Sequence, residues 1–248
     1  MLALIGHEDD AVCDALKRFA DRIGFPAVRV RDPAAWTVTI DLAEHTRVTL
    51  SGPDRSLVHC AVNRGLPQSA GLSAAQENDL MAAWWAALAL LPGPVANRPG
   101  RQGFLPAPDV GWGTLTTRPR AGGTANAHDA YTGRFLYRTH GEHPAAGVPV
   151  VHLTPLAPEQ TWRLMIAGDR AVEIAAPASG GLTARDRASC TRVLRRMKAA
   201  GLAFALVVLS RDQDGPLKVI AVNPLPSLSH YEGHEDEVHT ALMQWVTR

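Results

Sequence analysis

The chain has 248 residues, of which 46% are hydrophobic and 20% charged, and its formal net charge is +1 at pH 7. That length can bury a sizeable core in one large domain or two small ones, with the composition of an ordinary globular protein. A net charge so close to zero leaves no electrostatic footprint for nucleic acid or an anionic membrane, so neither is expected as a partner.

Leu2-Ala3-Leu4-Ile5-Gly6 suits a first buried strand ended by glycine. Glu8, Asp9 and Asp10 stand where a helix begins, and their charges suit its N-terminal dipole. Val12, Leu16, Phe19, Ala20 and Ile23 recur at helical spacing until Gly24 stops the helix. With a second strand over 27–30, this β-α-β opening predicts a parallel sheet. Segments 37–41 and 47–50 alternate β-branched and polar residues, as half-exposed strands do. After the turn cluster Ser51-Gly52-Pro53-Asp54, a strand is expected over 57–63. Ser73 and Gln76 form a capping-box pattern before a helix over 74–91, which Pro92-Gly93-Pro94 ends. Trp84 and Trp85 are about 100° apart on that helix, so one faces the core and the other a neighbouring element.

From 95 to 147 the chain is rich in Pro, Gly and Arg with little periodicity, and no element is predicted before a strand at 148–153. A hairpin should pair 161–166 with 171–175, and Thr183 should cap a helix over 184–200 that ends at Gly201. A second hairpin pairs 204–209 with 217–222, and a last helix covers 235–247. Cys13, Cys60 and Cys190 lie far apart without CxxC spacing, which argues against a disulfide framework or a thiolate zinc site. The longest apolar stretch, 80–91, falls short of the roughly 20 residues of a membrane helix, and acids at 8–10 break a secretory-signal pattern. A cytoplasmic setting is therefore expected. No Gly-x-Ser-x-Gly elbow or Gly-x-Gly-x-x-Gly loop is present, which argues against a common serine hydrolase and a dinucleotide site.

The second hairpin runs into Ala221-Val222-Asn223-Pro224-Leu225-Pro226, a buried strand ending in a rigid turn. This segment resembles the one with which ATP-grasp ligases bring magnesium ligands to ATP, Glu-x-Asn followed by proline. Here Ala221 stands at the glutamate position. The order of elements is similar to that of RimK-like ATP-grasp proteins, including the ligases that modify peptides. Their Asn-Arg-Pro-like motif is matched by Asn97-Arg98-Pro99, and their arginine-bearing strand and glycine turn by the run from Trp162 to Asp169. The resemblance implies an α/β fold of ATP-grasp type. An N-terminal α/β (pre-ATP-grasp) domain would span 1–94, and a C-terminal α+β lobe with a reduced central lobe would span 95–248.

The departures from that pattern shape the functional expectation. Lysine occurs only at 17, 198 and 218, so the central segment has none to clamp phosphate. The strand before the motif carries no acid, and magnesium on ATP phosphates takes carboxylate oxygens. Phosphoryl transfer rests on such positioning and charge compensation. The chain is therefore expected to be a degenerate, shortened ATP-grasp protein, a pseudoenzyme that has lost ATP-dependent ligation and needs no cofactor. Its cleft would bind a peptide, a small metabolite or a partner enzyme in a biosynthetic or peptide-maturation pathway; homo-oligomerisation is compatible with this.

The alternative is a divergent carboxylate–amine ligase that uses ATP and Mg2+. Arg98 or Arg163 would hold phosphate, Asn223 would hold magnesium, and a carboxylate such as Glu173 would reach the cleft. Arg101, Arg118, Arg120, Arg134 and Arg138 lie in the same region. A third reading places a metal on His230 and His234, four residues apart. Against it, Gly233 interrupts the spacing, and the acids at 235–237 suit the first turn of a helix.

Overall fold

The computed structural model describes residues 1–42, 46–100, 104, 125–128, 135–139, 151–155, 161–176, 182–211 and 217–248. β1 (Leu2–Ile5) is buried at every position, as its apolar run requires. It leads into α1 (Ala11–Arg22), where the Asp10 carboxylate accepts from the amides of Val12 and Cys13 and so satisfies two of the helix's first N–H groups. β1 pairs parallel with β2 (Ala27–Val30) on one side and with β5 (Cys60–Asn63) on the other. Between them, β3 (Thr37–Asp41) and β4 (Arg47–Ser51) form a separate antiparallel ribbon. Its Val38, Val48 and Leu50 pack in one cluster with Trp84 and Leu88 of α2 (Ala74–Leu90). The Ser73–Gln76 capping box forms. Trp84 is fully buried, whereas Trp85 is exposed and donates its indole N–H to the Gly100 carbonyl.

β6 (Val95–Ala96) adds to β5, giving the parallel order β2-β1-β5-β6. β7 (Ala125–His128), β8 (Phe135–Thr139) and β9 (Val151–Pro155) form a three-stranded antiparallel sheet. Sequence periodicity predicted no strand between 95 and 147, so β6, β7 and β8 are a correction. The run Ala-Asn-Ala-His of β7 lacks the branched and aromatic residues that announce strands, and it is strand only through its pairing with β8.

The second large sheet is antiparallel, in the order β11-β10-β12-β13. It consists of β10 (Thr161–Ala167), β11 (Arg170–Ala175), β12 (Phe204–Arg211) and β13 (Leu217–Asn223). Gly168 turns the β10–β11 hairpin at φ +65°, and any Cβ there would overlap Trp245. α3 (Ala184–Ala199) covers one face, where Trp162, Leu164, Ile166, Val207 and Leu209 meet Cys190 and Met197. The alternate residues Met165, Ala167, Leu206 and Val208 point the other way. They join Leu2, Leu4 and Leu16 with Val238 and Leu242 of α4 (Glu235–Val246) in one continuous core. The two sheets therefore share a core, with the C-terminal ends of β1 and β5 directed toward the Asn223 turn. Among the described residues, no helix is long and apolar enough to cross a membrane.

Candidate functional site

The parallel sheet changes winding direction between β1 and β5, and such a switch point opens a crevice at the strands' C-terminal ends. Asn63, Arg64 and Gly65 leave β5 there, opposite His7 and the α1 cap Asp10. The Asn63 amide donates to the carbonyls of Asn97 (2.9 Å) and Phe104 (2.8 Å), and its Oδ1 accepts from the Gly65 N–H at 3.2 Å. Asn97, fully buried at φ +56°, continues the network. Its Nδ2 donates to the carbonyls of Phe204 and Pro224, each at 2.9 Å, and its Oδ1 accepts from the amides of Ala203 (3.3 Å) and Phe204 (3.1 Å). One side chain thereby ties the end of β6 to the start of β12 and to the proline after β13. Asparagine suits the position because its short amide tolerates the left-handed region.

Arg64 is 6% exposed and donates Nε–H to Asp10 Oδ2 at 2.8 Å, with its guanidinium carbon 5.8 Å from the Phe204 ring centroid. Arg29 holds the β1–α1 loop by donating to the carbonyls of His7 and Asp10 and pairing with Asp14. Burial, with Asp10 adding to it, pushes the Cys13 thiol up to about 12, so it is neutral at physiological pH. Burial also raises the Tyr231 phenol, and it lowers His239 to about 4. These two meet at 3.3 Å. Asn63 and Arg64 escaped the sequence reading; the available signal was a polar pair ending the otherwise buried strand Cys-Ala-Val-Asn.

On the antiparallel sheet, register aligns Arg163, Val208 and Ala221 in one row across three strands, and Met165, Leu206 and Asn223 in the next. Arg163 and Asn223 thus share the face directed toward the junction. Asn223 is buried, and its Oδ1 accepts from the Leu225 N–H at 2.9 Å, shaping the turn around Pro224. Glu173 does not reach this face. It pairs with Leu164, on the side covered by α3, and it acts on Cys190 there. The expectation that it approaches Asn223 is corrected by strand alternation read through the register of the sheet.

Arg98 sends Nη1 to the carbonyls of Leu88, Ala89 and Leu91 and Nη2 to that of Gly93. It caps the C-terminus of α2, where a cation also suits the dipole. That role accounts for its position without a nucleotide. His230 accepts on Nδ1 from the Ser227 amide, whereas His234 begins α4 and pairs with Glu237 at 3.8 Å. Among the described residues, no three His, Cys, Asp or Glu side chains are grouped to hold a metal ion. Arg101, Arg118, Arg120 and Arg134 lie outside the described residues, as does the side chain of Arg138.

A groove of about 460 Å³ runs between β11, α3 and α4, lined by Leu164, Arg170, Glu173, Arg187, Leu194 and Glu237 among others. Among the described residues, β11 is the outer strand of its sheet.

Solved structures share this fold over nearly the whole chain. The macrocyclase MdnC from Microcystis aeruginosa MRC, bound with the precursor peptide MdnA, is 12% identical over 98% of this chain and 99% of that one, with a TM-score of 0.59. The ATP-grasp fold is present here. The ATP-grasp ligase PsnB, complexed with precursor peptide PsnA2 and AMPPNP, is 15% identical over 99% of this chain and 97% of that one, at a TM-score of 0.61. A RimK domain ATP-grasp protein from Sphaerobacter thermophilus DSM 20745 is 18% identical over 100% and 99%, at 0.52. No protein-family model and no curated protein matches the sequence.

The fold implies ATP with magnesium, whose ion takes carboxylate oxygens. Two positions from which the sequence pattern would bring a carboxylate do not supply one. The row beside Asn223 pairs Val208 with Ala221, and the acid expected from β11 faces α3.

Proposed function

We propose that this ATP-grasp-fold protein binds a peptide without ligating it. The observation that carries the reading is the apolar register pair Val208–Ala221 beside Asn223, with Glu173 turned to the opposite face. Without carboxylates at these positions, a triphosphate's metal would lack the ligands that usually hold it. The peptide surface is the groove along β11. An outer strand presents unpaired backbone groups on which an extended peptide adds as a further strand, and side chains in the adjoining groove select it. MdnC and PsnB, each solved with a precursor peptide, support a peptide as the occupant. The N-terminal unit, predicted to end at residue 94, would extend through β6, which pairs in its sheet.

The divergent-ligase reading retains one observation, since Arg163 shares the face of Asn223. A calorimetric titration with a non-hydrolysable ATP analogue and magnesium, together with an ATP-turnover assay, separates the two. Absence of both binding and turnover is the expected result. Magnesium-dependent turnover that disappears in Asn223→Ala would overturn the non-catalytic reading.

A further inference from the structure

Arg64 carries more donor capacity than its neighbours use. Its Nε–H is taken by Asp10, but its Nη1 is buried and has no hydrogen-bond partner among the described residues. Nη1 lies on the opposite side of the guanidinium from Nε–H, so the oxygen that accepts at Nε cannot also serve it. A buried, charged donor left bare is expensive, and it calls for completion by water, an ion or a ligand. The position supports the same conclusion. Arg64 leaves β5 at the switch point, is more than nine-tenths buried, and is directed at the cap of α1, a helix of 12 residues. Gly65 beside it sits at φ +105°, and a Cβ there would lie 3.5 Å from His7 Nε2. Its missing side chain keeps the backbone of this rim bare below the exposed His7.

We propose that Arg64 anchors a carboxylate-binding subsite in the crevice between the ends of β1 and β5. The local charge selects the ligand class. Asp10 already offsets Arg64, and Asp14 is paired with Arg29, so a dianionic phosphate would find no surplus positive charge. A carboxylate accepting from Nη1 brings one uncompensated negative charge rather than two, and a guanidinium is the cation shaped to serve two carboxylates from separate edges. Since Nη1 has no exposed surface, entry requires the crevice to open locally. The subsite shares no residue with the β11 groove, so it does not rest on the peptide reading.

The test is a 1H–15N NMR titration of the whole chain with sodium glutarate, against sodium chloride at matched ionic strength. The reporters are the Arg64 Nε–H and Gly65 amide signals. Both should move saturably, with half-change at a roughly millimolar concentration, and dimethyl glutarate should move neither. Arg64→Lys keeps a cation for Asp10 but offers no second directed N–H, so the Gly65 response should weaken at least about tenfold. No saturable movement, or equal movement in chloride, overturns the subsite and leaves Arg64 as a partner of Asp10 alone. A response to inorganic phosphate without one to glutarate overturns the carboxylate assignment.

Discussion

Replacing Asn97 with aspartate alters one polar group at a fully buried position and should nonetheless cost much of the protein's stability. In the native arrangement Nδ2 donates to two carbonyls at 2.9 Å, those of Phe204 and Pro224. An ionised aspartate there would set an oxygen against both. Two hydrogen bonds vanish, at about 1 kcal/mol each, and two buried carbonyls lose their donor, at about 1 kcal/mol or more apiece. Carboxylate desolvation adds to this. The sum is about 4–6 kcal/mol at pH 7, against typical total stabilities of about 5–15 kcal/mol. Acid should relieve part of it, because a protonated carboxyl can donate to one of the two carbonyls. Burial and the facing carbonyls raise this carboxyl's pKa in the folded state above its unfolded value. The relief is therefore complete below the unfolded pKa of about 3.9 and is lost as pH rises through the folded pKa. Urea unfolding of both proteins across a pH series checks this through the difference between them, from which their shared titrations cancel. A difference below about 1 kcal/mol at pH 7 that does not change with pH would refute the account of Asn97 as the pin between the sheets.

Three further outcomes follow from the geometry. Burial holds His239 near 4 in the fold, against 6.5 when free. The unfolded chain therefore binds its proton first, and stability should fall by about 3 kcal/mol as pH drops from about 6.5 to 4. Urea unfolding of His239→Leu should show that portion of the pH slope removed, and an unchanged slope would count against it. Arg98→Met should destabilise the chain by about 2–3 kcal/mol, since it strips four carbonyls around the end of α2 of their donor; thermal unfolding measures the loss. Thr191→Trp, on the wall of the groove, should abolish enrichment of the peptides selected by phage display on the wild-type protein while leaving thermal unfolding within about 0.5 kcal/mol. Equal enrichment on the variant would remove the groove as the peptide site.

The local periods in the sequence determined most of the elements by themselves. Apolar spacing placed α1, the Ser73–Gln76 pattern placed the start of α2, Thr183 and Gly201 bounded α3, and alternation placed β3 and β4. These features depend on neighbours within one or two turns, so the chain states them locally. The Asn-Pro turn and the order of elements were likewise enough to indicate an ATP-grasp fold. β7 was invisible because its residues lack strand character and only its partner strand makes it one. Tertiary structure alone decided the site. It put Glu173 behind the sheet through register, gave Arg98 to the end of α2, and joined Asn97 to groups more than a hundred residues away. It also buried Arg64 with one donor unused. Such assignments depend on which distant backbone groups a polar side chain meets once the sheets close on each other, and no spacing along the chain encodes that meeting.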